Sequence, residues 1–216
     1  SAKAIANATE DDLYNSAYKR LEEVIQLGTG AIEIKSGYGL SVEAELKMLR
    51  VIKKLKANSP IPIKATFLGA HTYPIAYKEN HQGYIDEIIQ QMLPVIAKEQ
   101  LADYIDVFCE TGFFSKEETE TICKAGIEYG LKPKIHANQL HLSGGTEIGV
   151  QLNAISVDHL ETMDETAIAT LAKSNTIGTL LPTAAFFLSL SISNSFSRFL
   201  ILTGILTSSK CVRAPA

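Results

Sequence analysis

The feature that most constrains this chain is a repeated alternation between short apolar runs and segments of helical period. AIEIK (31–35), IKATFLGA (63–70), YIDVFCE (104–110), KPKIHA (132–137), AISVDHL (154–160) and TIGTLLP (176–182) read as strands. They do not alternate cleanly between apolar and polar residues, as parallel strands covered on both faces do not. Between them lie helical patterns: one at 41–59, one at about 83–99, one at about 115–129, a short one at about 144–152, and MDETAIATLAKS. Another precedes the first strand, over 10–27. Ser41 with Glu43 to Glu45 marks one helix start, and Ser115 with Glu118 another. Gly130 is placed to stop the latter helix. Strands separated by helices give an α/β fold with a parallel sheet. Six strands suit either a doubly wound sheet or part of an eight-stranded barrel.

The polar residues favour the barrel. Gly37-Tyr38, His71, Glu110, His136 and His159 each stand at the C-terminal end of one of five successive strands. A barrel gathers such ends around one axis, where its active site sits. An open sheet spreads them in a row. Neither GxGxxG nor GxxxxGK[ST] occurs, so nucleotide-binding folds gain no support.

Composition narrows the function classes. With 46% apolar residues the chain can bury a core, and a net charge of −4 with pI near 5.8 leaves no basic footprint for nucleic acid. Cys109, Cys123 and Cys211 are odd in number and widely spaced, which fits a reducing cytoplasm. No signal-peptide layout opens the chain, and its first residue is Ser1 rather than Met, as in a piece of a longer protein. From residue 191 the text turns Ser-rich and apolar without a clear period. Ser193, Asn194, Ser195 and Arg198 interrupt that run, which argues against a membrane span. The expected domain plan is a partial barrel over 1–190 and an atypical tail over 191–216.

Any one of His71, His136 and His159 alone reads as a structural residue. Three at equivalent positions point to a shared site, since neutral imidazole serves both as a metal ligand and as a proton carrier. His81 and His141 fall in loops and read as solvated. Tyr38 is either a packed turn residue or a phenol donor to a polar substrate. Glu110 is either an acid/base group or the partner of a lysine. Asp158, beside His159 in a strand, points the other way and reads as a structural carboxylate.

The segments EIKSGYGL, TFLGAHTYP, DVFCETGFF, KIHANQ followed by SGG, SVDHLE and LLPTAAFFL together resemble the imidazolonepropionases of the amidohydrolase superfamily. The resemblance runs over about residues 1–190. It implies a metal-dependent (β/α)8 TIM barrel with strands two to seven present. It also implies opening of the 4-imidazolone-5-propanoate ring to N-formimidoyl-L-glutamate in histidine degradation. By resemblance His136 is a ligand of one zinc or iron ion, and Tyr38, His71 and Gln139 contact substrate. Gln139 also matches a position proposed to help catalysis, and His159 stands near the reacting water. The family's HxH pair does not occur in this chain, and no carboxylate follows Glu165. The expectation is therefore a fragment without its first and eighth strands and with little turnover of its own, or else an inactive relative that binds small anionic imidazoles without metal. The remaining implications are a homodimer, a small-molecule substrate, and neither nucleic-acid nor membrane partners.

Overall fold

The computed structural model describes residues 2–187. The chain divides into two compact units. One comprises the residues up to Asp106 together with Ala125–Leu131, and the other comprises Val107–Lys124 and the residues from Lys132 onward.

The first unit opens with α1 (Ala2–Asn7) and α2 (Glu10–Gln26). At the start of α2 the Thr9 hydroxyl accepts the Asp12 N–H, while the Asp12 carboxylate accepts the Thr9 N–H. This reciprocal cap satisfies two amides that the helix cannot. Next come β1 (Ile32–Lys35), α3 (Val42–Asn58) and β2 (Ile63–Ala70). Strands β1 and β2 pair in parallel, with Ile32 opposite Ile63 and Lys35 opposite Thr66. Ser41 caps α3 by accepting the Ala44 N–H. Leu46, Leu49, Ile52 and Leu55, three residues apart along α3, are buried as one apolar stripe.

Beyond β2 the sequence predicts one helix over about 83–99. The structure instead has α4 (His81–Glu87), a wide π-type turn over Ile88–Met92, and α5 (Leu93–Glu99). Pro94 explains the interruption. It has no N–H to give the preceding turn, and its ring crowds the carbonyl there. A wide turn accommodates both effects. The strand β3 (Tyr104–Cys109) then begins, and its first three residues complete the unit's sheet.

The rest of β3 starts the second unit, followed by α6 (Lys116–Glu128), β4 (Lys132–Ala137), α7 (Gly145–Gln151) and β5 (Ser156–His159). After these come α8 (Glu165–Ala172), β6 (Ile177–Thr179) and α9 (Pro182–Phe187). The predicted cap of α6 is present, with Ser115 Oγ accepting the Glu118 N–H and Glu118 accepting the Ser115 N–H. Gly130 ends that helix in the left-handed region at φ +82°. Strand β4 pairs with β5 in parallel, setting His136 opposite Asp158, and β5 pairs with β6 likewise. Strand β6 is shorter than the predicted 176–182. Helices α1 and α9 have no counterpart in the sequence reading.

The strand order is β1-β2-β3-β4-β5-β6, the order of the chain itself. The fold class is the expected α/β, the strand–helix alternation of a partial (β/α)8 barrel. Among the described residues no helix is long and apolar enough to cross a membrane. The expected Ser-rich tail over 191–216 lies outside the described residues.

Candidate functional site

The predicted site residues fall into two groups, one on each unit. In the first unit Tyr38 and His71 come together, with ring centroids 5.0 Å apart and edge to face. Tyr38 is half exposed, and His71 is partly buried just past the end of β2. His71 Nδ1 lies 3.1 Å from the Gly37 carbonyl oxygen. A carbonyl only accepts, so Nδ1 carries a proton, which leaves Nε2 as the acceptor of a neutral ring.

Glu45 holds the Tyr38 loop from beneath. Its carboxylate accepts the N–H groups of Gly37 at 2.9 Å, Gly39 at 2.6 Å and Leu40 at 3.2 Å. Gly37 has φ +109°, and a Cβ there would lie 2.8 Å from the Leu68 carbonyl oxygen, so only glycine fits. Glu45 is fully buried. Burial pushes its carboxyl up from the usual carboxylate value, against hydrogen bonds from Ser36, Gly39, Gly37 and Leu40 that pull it down. The sequence shows Glu45 only as an acid in the first turn of a helix. The available signal for its second role was the glycine pair of SGYGL a few residues upstream, whose amides need an acceptor once buried.

Also in the first unit, Lys35 Nζ bridges Glu33 at 2.6 Å and Asp106 at 2.8 Å, and the Thr66 hydroxyl donates to Glu33. Asp106 is fully buried. A buried carboxylate is tolerable only with such a partner.

The second unit carries His136, Gln139 and His159. His136 is half buried near the end of β4, and its ring centroid is 5.1 Å from that of His159. A nitrogen of His136 and a carboxylate oxygen of Asp158 lie within 4.8 Å of each other. Asp158 also accepts from Ser156 Oγ at 2.6 Å and sits 3.5 Å from Lys134 Nζ, in keeping with its structural reading. His159 and Leu160 are consecutive residues with left-handed φ, +87° and +66°. Such a conformation is strained for residues with a side chain and clusters at functional sites. Glu161 Oε1 lies 3.4 Å from His159 Nδ1, so Glu161, not the sequence neighbour Asp158, is the carboxylate beside that ring.

Gln139 stands in the bend that follows β4, half buried. Three sequence readings of polar residues need correction. Glu110 pairs not with a lysine but with His141, whose Nδ1 is 3.0 Å from Glu110 Oε1. The bend brings the Leu140 and His141 N–H groups onto the same carboxylate, at 2.8 and 3.3 Å. His141 is exposed as predicted, yet it is anchored through that contact rather than simply solvated. His81 is not in a loop: it opens α4 and stacks on Tyr73, with ring centroids 3.7 Å apart.

No family model matches the chain. Among curated proteins it is 60% identical over 190 residues to the imidazolonepropionase of Flavobacterium johnsoniae and 57% identical over 190 residues to that of Flavobacterium psychrophilum. It is 44% identical over 195 residues to that of Thermoanaerobacter pseudethanolicus. These matches cover 88%, 88% and 90% of this chain but 46%, 46% and 47% of the relatives. The chain thus spans about half the length of the curated relatives it matches. Among solved structures, 5-methylcytosine deaminase from Klebsiella pneumoniae aligns with a TM-score of 0.69 at 14% identity, over 94% of this chain and 52% of that one. Adenine deaminase from Arthrobacter aurescens aligns at 0.67 and 14% identity, over 91% and 61%. An amidohydrolase from Burkhoderia ambifaria, with bound Zn, aligns at 0.66 and 15% identity, over 90% and 55%. At such identities the structural likeness speaks for the fold alone. The sequence identity is of another order, and by it this chain is similar to imidazolonepropionases over 88% of its own length.

Proposed function

We propose that this chain serves, as part of an imidazolonepropionase, the hydrolytic opening of 4-imidazolone-5-propanoate to N-formimidoyl-L-glutamate in histidine degradation. The observation that carries the reading is 60% identity over 190 residues to a protein of that name. In this reading Tyr38 and His71 bind the substrate. The Tyr38 phenol donates to a polar group, and His71 Nε2 accepts a ring N–H. Gln139 contacts the ring from the bend after β4. Water adds to the ring carbonyl, and a base must take its proton and return one to the leaving nitrogen. Gln139 cannot exchange protons, so that work falls to His159. Glu161 beside Nδ1 holds the ring so that Nε2 faces the reacting water.

His136 and Asp158 are of the donor types that zinc and iron accept, an imidazole nitrogen and a carboxylate oxygen. A divalent ion held there would supply a water of lowered pKa. The proposed partners are a small-molecule substrate and, for the whole protein, a second copy. The proposed location is the cytoplasm.

A second reading is favoured by the first unit, where Tyr38 and His71 meet edge to face. There the chain binds small anionic imidazoles and does not turn them over. The test is an assay of ring opening by the isolated chain, paired with thermal stabilisation by imidazole-4-propanoate. Stabilisation that Tyr38→Phe and His71→Ala weaken, with little turnover, is the expected result. Hydrolysis that a chelator abolishes and zinc restores would establish a competent enzyme and overturn the second reading. A chain that shows neither turnover nor binding sinks both.

A further inference from the structure

We propose that Glu110 is a positioning residue for Gln139, fixing the bend that carries it; the inference rests on the reading of Gln139 as a substrate contact. The Glu110 side chain is completely buried. Its Oε1 accepts the Thr111 N–H at 2.8 Å and faces His141 Nδ1 at 3.0 Å. Its Oε2 accepts the N–H groups of Leu140 and His141. The Glu110 backbone is fixed in turn, since its N–H donates to the Phe114 carbonyl and its carbonyl accepts the Phe113 N–H.

The other side of Gln139 is held as firmly. Asn138 adopts a left-handed φ of +53°, and its carbonyl accepts the Thr162 N–H at 2.8 Å. Ser143 Oγ donates to the Cys109 carbonyl at 2.7 Å and lies 3.3 Å from Asn138 Oδ1. Gln139 therefore stands between two residues whose backbones are tied down, and the direction of its Cα–Cβ bond is set before any ligand arrives.

Packing does not account for this arrangement. Burying a carboxylate carries a desolvation penalty that only hydrogen bonds offset. Here the bonds go to a bend whose Leu140 and Leu142 side chains are exposed, so the clamp gains little apolar burial from those residues. What it does gain is one fixed conformation, which is what a preorganised ligand contact requires.

The experiment uses the full chain with imidazole-4-propanoate as the probe and a double-mutant cycle of E110Q and Q139A. Glutamine replaces one acceptor oxygen by an NH2 group, which cannot receive the bend's amides. E110Q is expected to weaken the probe about tenfold, the scale of one lost hydrogen bond to a charged group, and to add nothing in the Q139A background. Amide exchange at Leu140 and His141 is expected to rise about tenfold or more in E110Q, as local opening becomes easier. H141Q, at an exposed position, is expected to move both readouts the same way by less. An equal loss of affinity with and without Gln139 overturns the inference, because it marks a general structural effect. Unchanged exchange in E110Q overturns it as well. A wild type that ignores the probe, or a Q139A that binds it like wild type, overturns the reading of Gln139 and the inference with it.

Discussion

Replacing Glu45 by alanine removes the acceptor of three backbone amides at once. The bonds to Gly37 and Gly39 are buried, at 2.9 and 2.6 Å, and the one to Leu40 is longer and partly exposed. A buried amide left unmade costs about 1–3 kcal/mol, so the two buried ones set a gross loss of roughly 2–6 kcal/mol. Two effects reduce it: water can enter the vacated space, and the desolvation penalty of the carboxylate disappears with the carboxylate. A net destabilisation of about 3 kcal/mol follows, a large part of the ~5–15 kcal/mol that holds a domain together. At this chain length that is a fall in Tm of roughly 6–12 °C. The assay is thermal and urea unfolding followed by circular dichroism, with hydrogen exchange at 37–40 as the local readout. Glu45→Gln keeps one acceptor oxygen and should lose less.

The pH dependence has a definite sign. The folded-state carboxyl lies above its ordinary value of 4.5, so between the two values the native state binds more protons than the unfolded state. The contribution of Glu45 is then greatest below 4.5 and declines as pH rises through the folded value, and this slope is absent in Glu45→Gln. An alanine variant within about 1 kcal/mol of wild type, with its loop amides as protected as before, refutes the reasoning.

Three further outcomes follow from the same structure. Gly37→Ala, forced to keep φ +109° with its Cβ against the Leu68 carbonyl, is expected to destabilise by more than about 2 kcal/mol in urea melts. For Asp103, burial pulls its carboxyl upward, but the Ala65 N–H and the lysines at 56 and 64 hold it below its ordinary 3.8. Its contribution is present above 3.8 and lost as pH falls through the lower folded value, so Asp103→Asn should flatten that acid limb of the stability curve. Because the chain lacks an HxH pair, elemental mass spectrometry of the isolated chain after dialysis against metal-free buffer should find well under one zinc or iron per molecule; a stoichiometric ion that His136→Ala removes would overturn that expectation.

Local signals made much of the fold legible. KPKIHA appears as β4 at its predicted bounds, and the Ser115–Glu118 cap forms as expected, because both depend on neighbours in sequence. The π-type turn before α5 was hidden because the helical period continues through it, and Pro94 alone marked the break. The roles of Glu45 and Glu110 depend on loops that return from elsewhere in the chain, and a carboxylate in isolation does not reveal its acceptor work. The left-handed His159 was equally unreadable, since nothing in SVDHLE asks for positive φ. The roles proposed for Tyr38, His71, His136, Gln139 and His159 rest on family resemblance, because histidines at strand ends suit many chemistries.

The two buried carboxylates have a consequence for how this scaffold can change. Each belongs to the framework and, beyond a side-chain partner in Ser36 for Glu45 and His141 for Glu110, grips main-chain amides, so neither sets the identity of Tyr38 or Gln139 at the tip. Tyr38 and Gln139 can therefore be exchanged at small expense to folding, while positions 45 and 110 cannot. Ligand preference and foldability are thereby written at different addresses. A library aimed at new imidazole-like ligands should randomise positions 38 and 139 and leave both glutamates intact.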